Sequence, residues 1–179
     1  MADHVEHAAR FLAALRPAER LLDLGSGGGV PGLALAVLLP ATQVVLLDAS
    51  VRRTDFLERA VGRLDLGGRV AVVTGRAEVV GHGAGLRGTF DAVVARSFGT
   101  PAVTAECAAP FLRVGGQLVV SEPPGEEDDR WPGAGLDQLG LRRDPVPAAG
   151  VASFTQVEPC PARFARRRLR PPLFHVERR

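Results

Sequence analysis

The chain contains no lysine; all 22 basic residues among its 179 are arginine. Any site built on a lysine side chain is excluded, and a GC-rich coding bias explains part of the substitution. Cysteine is scarce as well. Cys107 and Cys160 stand far apart, with no second cysteine or clustered histidine near either. That excludes a disulfide framework and a zinc site, and it fits a reducing cytoplasm. Long apolar runs are absent too. The longest, Leu33 to Leu39, is far too short to cross a bilayer, so no membrane association is expected. Residues 1–16 carry Asp3, Glu6 and Arg10 and have no apolar stretch of signal-peptide type.

What is present is ordinary globular composition, 46% apolar and 23% charged, in a length that suits one domain over residues 1–179. Charge is distributed unevenly. Arg163 to Arg179 holds seven arginines and one acid, a net of +6, whereas the rest of the chain is at −4. A basic C-terminal segment on a mildly acidic body points either to a polyanionic partner or to a solvated tail.

The ten residues Asp23-Leu24-Gly25-Ser26-Gly27-Gly28-Gly29-Val30-Pro31-Gly32 are the most informative in the chain. They lie between the apolar runs Leu21-Leu22 and Leu33–Leu39, the layout of a buried strand, a glycine turn and a helix. Five glycines in eight residues clear side chains from the turn, so a ligand is expected to lie against bare backbone N–H groups at the helix N-terminus.

The flanking pattern alternates strand and helix. Asp3 to Glu6 has capping-box spacing and opens an amphipathic helix over residues 3–16. Strands are expected at Arg20–Leu24, Gln43–Asp48, Arg69–Thr74, Phe90–Ala95 and Gln117–Ser121. Ser50 caps a helix whose buried face is Phe56, Leu57, Ala60, Val61 and Leu64, with Arg52, Arg53, Arg59 and Arg63 toward solvent. A further helix runs from about Pro101 to Leu112. Residues 123–135, with the acidic run Glu126 to Asp129, read as a surface loop. One short helix and two strands completing the sheet antiparallel follow. The fold class is α/β, a doubly wound, mostly parallel Rossmann-like sheet.

Two fingerprints overlap in the loop. Gly27-x-Gly29-x-x-Gly32, with Asp48 about twenty residues on, matches a dinucleotide site. Asp23-x-Gly25-x-Gly27-x-Gly29 matches the signature of class I methyltransferases that use S-adenosylmethionine (SAM). There an acid near the loop orders it and approaches the cationic methionine end. Asp48 serves either reading by accepting from ribose hydroxyls. Gly75-Arg76-Ala77-Glu78 after the third strand, Phe90 to Val94, and the unit Pro110 to Val120 fit the methyltransferase fold and decide for SAM.

The likeness extends to one family. Pro31-Gly32, Leu47-Asp48, Arg52-Arg53 with Phe56-Leu57, Gly75 to Glu78, Val94-Ala95-Arg96-Ser97 and, more loosely, Val157 to Leu173 resemble the ribosomal RNA small-subunit methyltransferase G family. The resemblance implies methylation of guanine N7 in small-subunit (16S) rRNA. It places SAM contacts on Gly25, Val30, Ala77, Glu78 and Arg96 and the ribose on Asp48, beside the loop residues Asp23, Gly27 and Gly29. RNA would be reached through Arg163–Arg179, by a cytoplasmic monomer that needs no metal.

The residues suit that chemistry. Guanine N7 has a free lone pair and needs no general base. The Asn/Asp-Pro-Pro-aromatic motif of amino-methyltransferases is missing, and a lysine-free chain cannot form the Lys-Asp-Lys-Glu tetrad of ribose methyltransferases. Arg96, the candidate catalytic residue, could touch SAM, the base or a phosphate, or else pair with a neighbouring carboxylate. Cys160 in Pro-Cys-Pro reads as structural, His4 and His7 as surface histidines, and Trp131 as a base stacker or an apolar plug. The family has a longer helical N-terminus, and Glu122-Pro123 stands where it has Lys-Gly, which disfavours phosphate there. A divergent paralogue acting on another RNA, a small-molecule methyltransferase and a non-catalytic SAM-binding protein are the alternatives.

Overall fold

A computed structural model describes residues 2–123, 130–145 and 150–174. The elements are α1 (Ala2–Ala14), β1 (Arg20–Leu24), α2 (Gly32–Leu38), β2 (Gln43–Asp48), α3 (Val51–Arg63), β3 (Val70–Thr74) and α4 (Ala77–Val80). Then come β4 (Phe90–Ala95), α5 (Pro101–Ala108), a 3-10 turn at Ala109–Phe111, β5 (Leu112–Ser121), α6 (Gly133–Asp137), β6 (Leu141–Arg143) and β7 (Val151–Gln156). Seven strands form one sheet in the order β3-β2-β1-β4-β5-β7-β6. Strands β1 to β5 are parallel, β7 is antiparallel to β5, and β6 is antiparallel to β7. Two strands thus complete the sheet through antiparallel pairings, as expected, with β7 reversed and β6 running in the direction of β5.

Strand order reverses between β1 and β4, and a doubly wound sheet opens a crevice at that point, outside the carboxyl ends of the strands. The glycine loop leaves β1 there and Arg96 leaves β4 there. Successive residues of a strand face opposite sides. Leu22 and Leu24 accordingly join Val93, Phe111 and Phe154 in one core half. Leu21 joins Leu46, Val94, Phe11, Leu35 and Leu57 in the other.

Three local expectations change. On α3 the buried residues are Thr54, Leu57 and Val61, whereas Phe56 and Leu64 are 47% and 50% exposed. The Thr74 hydroxyl donates to Oγ1 of Thr54 at 2.7 Å, a polar tie that sets the rotation of the helix against β3. Helix α5 stops at Ala108 rather than Leu112: Pro110 has no N–H to continue the helical ladder, and the chain tightens into the 3-10 turn at Ala109–Phe111. Strand β5 then begins at Leu112 and runs through Gly115-Gly116. Finally, the acidic run Glu126 to Asp129 lies outside the described residues, but from Trp131 the chain is no surface loop. Trp131 is 5% exposed, its ring 4.6 Å from that of Phe154, and α6 follows at once. Trp131 is thus an apolar plug.

Residues 157–174 have no helix or strand, yet Phe164, Ala165 and Phe174 are buried. Among the described residues no helix is long and apolar enough to cross a membrane.

Candidate functional site

Strand β1 delivers Asp23 to the base of the glycine loop, almost fully buried. Its Oδ2 accepts from the Gly32 N–H at 3.0 Å, at the start of α2. Burial pushes the carboxyl up to about 7, against hydrogen bonds from Ser26 and Gly32 and the charge of Arg96, which pull it down. Gly32 has no room for a side chain, since a Cβ there would lie 2.3 Å from Asp23 Oδ2 and 2.5 Å from Leu46.

Most of the loop amides are engaged internally. Gly25 and Ser26 N–H both donate to the Leu47 carbonyl at 2.8 and 3.0 Å, and Gly29 N–H to Ser26 O at 2.7 Å. Gly27 N–H donates to Asp48 Oδ2 at 2.9 Å. The expected row of bare N–H groups is therefore reduced to those of Gly28 and Val30, which make no hydrogen bond with a described residue. What the glycines contribute is clearance, and the anion-attracting end of α2 already holds a carboxylate from its own chain. A pyrophosphate has no place at that end, which disfavours the dinucleotide frame Gly27, Gly29, Gly32 on physical grounds.

Asp48 ends β2 and is buried, with Oδ1 accepting from Ser50 N–H at 2.8 Å and Oδ2 standing 3.5 Å from Arg53 Nη1. A carboxylate has about four lone-pair sites, so capacity remains for ligand hydroxyls. Its carbonyl accepts from Gly75 N–H at 2.9 Å, which aligns the end of β3 and sets Ala77 and Glu78 opposite. Glu78 is buried and paired with Arg76 Nε. Gly25, Leu47, Asp48, Ala77, Glu78 and Phe98 enclose a cleft of about 120 Å³. Of the residues expected to touch the cofactor, the fold brings Gly25, Asp48, Ala77 and Glu78 to this cleft. It does not bring Asp23, which braces the loop from behind, nor Val30. Gly29 faces inward against Leu33 and Leu57. Paired acceptors beside the apolar Leu47, Ala77 and Phe98 fit the ribose and purine of an adenosyl group.

A second cavity, about 400 Å³, opens beyond Phe98 and is bordered by Arg96, Thr104, Ser121, Glu122 and Trp131 among others. Ser97 has φ +52°, a left-handed conformation uncommon for a non-glycine residue, and it turns the chain between Arg96 and Phe98. Arg96 is half-buried and makes no direct hydrogen bond or ion pair with a described residue, although its charge reaches the buried Asp23 carboxyl. The ring of Phe98 rests on Gly25, where a Cβ would meet it at 2.5 Å; with φ +73° this position requires glycine twice over. Phe98 borders both cavities and was missed in the sequence, where its signal is an aromatic two residues past Arg96 in a strand-end loop.

Glu122 does not present a bare carboxylate. Oε2 accepts from Arg130 Nη1 at 2.6 Å and Oε1 from Trp131 Nε1 at 2.7 Å. The expectation that Glu122 repels phosphate is corrected accordingly: its charge is matched by Arg130, and it serves as a clip for the Trp131 plug.

Burial pushes the thiols of Cys107 and Cys160 up to about 12 and about 11, so neither is a nucleophile at neutral pH. Among the described residues no group of three His, Cys, Asp or Glu side chains could hold a metal ion. The side chains of His4 and His7 lie outside the described residues, as do Arg178 and Arg179. Within the basic segment, Arg166 is tied to the buried Glu106, Arg163 lies over the Phe164 ring at 4.7 Å, and Arg167, Arg168 and Arg170 are exposed.

Residues 1–128 match the family described as GidB, rRNA small subunit methyltransferase G. A Synechococcus sp. (strain CC9311) protein named ribosomal RNA small subunit methyltransferase G is 40% identical over 139 residues, 77% of this chain and 52% of that one. One of the same name from Rubrobacter xylanophilus is 44% identical over 119 residues, 65% of this chain and 45% of that one. The chain spans about half the length of these curated relatives. Among solved structures, a SAM-dependent methyltransferase from Aquifex aeolicus superposes with a TM-score of 0.60 at 18% identity. That match covers 82% of this chain and 87% of the other, and it is a likeness of fold.

Proposed function

The chain belongs to the rRNA small subunit methyltransferase G family, and on that premise we propose that it methylates guanine N7 in small-subunit ribosomal RNA, with SAM as donor. The observation that carries this reading is the adjacency of two cavities, one fitted to an adenosyl group and one lined by an unpaired guanidinium, with Phe98 as their common wall.

SAM supplies an electrophilic methyl group on a sulfonium centre. Asp48 and Glu78 would accept from the ribose and adenine, Leu47, Ala77 and Phe98 would pack against the purine, and Asp23 holds the loop in shape behind them. The target base enters the larger cavity. Arg96, with its donors unused, holds the base through O6 or through a flanking phosphate and keeps N7 toward the cleft. Methyl transfer is an in-line displacement, so holding the two reactants in register supplies much of the rate. The lone pair of N7 needs no base to free it, which agrees with a cavity whose one described carboxylate, Glu122, is already engaged. The exposed Arg167, Arg168 and Arg170 add phosphate contacts. We assign this activity to a cytoplasmic, metal-independent monomer formed as one domain.

The test is to incubate the protein with labelled SAM and small ribosomal subunits from a strain lacking the gene. Label at guanine N7 of the rRNA is the expected result. Labelled small metabolites with unlabelled RNA would move the acceptor to another class. SAM binding with transfer to no acceptor would make the chain a binding protein.

A further inference from the structure

Two groups stand out among the arginines of this lysine-free chain. One set is engaged inward: Arg69 donates to carbonyls at the end of α2, Arg87 to four carbonyls including those of Cys160 and Phe164, and Arg166 to Glu106. The other set stands on α3. Arg52, Arg59 and Arg63 are exposed, and none makes a hydrogen bond or ion pair with a described residue. Asp55 lies one turn before Arg59, the spacing and order that favour a helical ion pair, and still does not take it.

Their spacing is regular. Positions 52, 56, 59 and 63 fall within about 60° of arc on a helix of 3.6 residues per turn and form a straight ridge about 16 Å long. Phe56 sits within that ridge, 47% exposed. Thr54, Leu57 and Val61 lie on the opposite side and are buried, and the Thr54–Thr74 tie keeps the helix from rolling. The ridge is therefore held outward by the fold. Arg53, one step off this line, faces Asp48 instead and belongs to the cofactor side.

Three unpaired guanidinium groups in line call for a regularly spaced anion, and an exposed ring among them calls for a flat partner. A nucleic-acid strand supplies both, through its phosphates and an unstacked base. Helix α3 starts three residues after Asp48, at the rim of the cofactor cleft, and runs from there along the sheet. We propose that the Arg52–Phe56–Arg59–Arg63 ridge is an RNA-docking surface that takes the phosphates of the acceptor strand on its arginines and stacks one base on Phe56. This assignment rests on the reading that the acceptor is RNA.

The experiment compares the full chain with R52Q/R59Q/R63Q and with F56A. Measured are binding of small-subunit rRNA over a range of salt, SAM affinity, melting temperature, and kcat and KM on small subunits. The triple variant is expected to lower the slope of log K against log salt by about 2, since each phosphate contact with a single strand contributes about 0.7. KM for RNA rises about tenfold or more in that variant, while kcat, SAM affinity and melting temperature stay as they are. F56A weakens RNA binding about tenfold and leaves the salt slope unchanged. Unchanged slope and KM in both variants, with a wild type that methylates RNA, would overturn the ridge alone. Binding lost only to anionic phosphatidylglycerol vesicles would reassign it to a membrane surface and overturn it likewise. A wild type that binds SAM and neither binds nor methylates RNA overturns the acceptor reading itself.

Discussion

The Gly32 N–H donates to Oδ2 of Asp23 at 3.0 Å, across the full length of the glycine loop. One buried carboxylate thus holds the loop closed and occupies the end of α2 that a dinucleotide site keeps for its pyrophosphate. The burial of that carboxyl, against the pull of this contact, makes the loop depend on pH. In the fold the Asp23 carboxyl titrates at about 7, above its ordinary value of 3.8, because burial disfavours the charge. The native state therefore binds the extra proton between those values. This group's contribution to stability is largest below pH 4 and declines as pH rises toward 7, by roughly 4 kcal/mol at most. D23N keeps an oxygen acceptor for Gly32 and cannot ionise. Urea unfolding from pH 4.5 to 8 is expected to show a shallower decline for D23N than for the wild type, and parallel curves would remove the assignment.

Gly28 and Gly32 lie four residues apart in the loop and should respond oppositely to alanine. A Cβ on Gly28 meets nothing within 4 Å, whereas one on Gly32 would lie 2.3 Å from the Asp23 carboxylate. G28A is expected to shift stability by no more than about 0.5 kcal/mol. G32A must displace both Asp23 and Leu46, and it should cost about 3 kcal/mol or more by the overpacking route. Thermal melts of the two variants side by side are the check, and similar melting temperatures would contradict the loop geometry.

Much of this arrangement is legible in the sequence. Arg20–Leu24, Gln43–Asp48 and Phe90–Ala95 are strands because a parallel sheet covered on both faces needs near-continuous apolar runs, and these are the runs. The rotation of α3 is not legible. Phe56, Leu57, Ala60, Val61 and Leu64 recur at helical spacing, but a hydroxyl tie between Thr54 and Thr74, twenty residues apart, decides which of them turn inward. Asp48 is readable as an acceptor at a strand end, yet its hold on Gly27 depends on where the loop passes in space. Likewise Glu122 is visible as a departure from its relatives. Its partners Arg130 and Trp131 appear only once the chain has returned over the sheet.

The clip at Glu122 can be read through Trp131, the single tryptophan of the chain. Its indole N–H donates to Oε1 at 2.7 Å while its ring packs against Phe154. E122Q keeps an acceptor for the indole but loses the charge opposite Arg130; E122A loses both. Tryptophan emission is expected to shift to the red in E122A and much less in E122Q, because the plug loosens into water only when its anchor is gone. KM for the RNA acceptor should rise in E122A, with SAM affinity unchanged, since Glu122 does not border the cofactor cleft. A red shift accompanied by lost SAM binding would mean that the two cavities do not act separately.

The tie between Glu106 and Arg166 predicts an asymmetry. Glu106 is buried on α5, and its carboxylate accepts from Arg166 Nε at 2.7 Å, from Nη2 at 2.8 Å and from the Arg166 backbone N–H at 2.9 Å. Arg166 has a side chain about a third exposed (31%) and can turn to water if its partner is removed. Glu106 has no such exit. R166A therefore strands a buried carboxylate with one backbone donor left and should cost about 3–5 kcal/mol. E106A removes the buried charge, leaves the arginine partly solvated, and should cost about 1–2 kcal/mol after screening. Both variants loosen the C-terminal segment, so tryptic cleavage at Arg167 and Arg168 should accelerate. Urea unfolding of the two variants side by side is the measurement, and R166A is expected to lose the more. Equal penalties would show that the segment is held by its apolar contacts at Phe164 and Phe174 rather than by the ion pair.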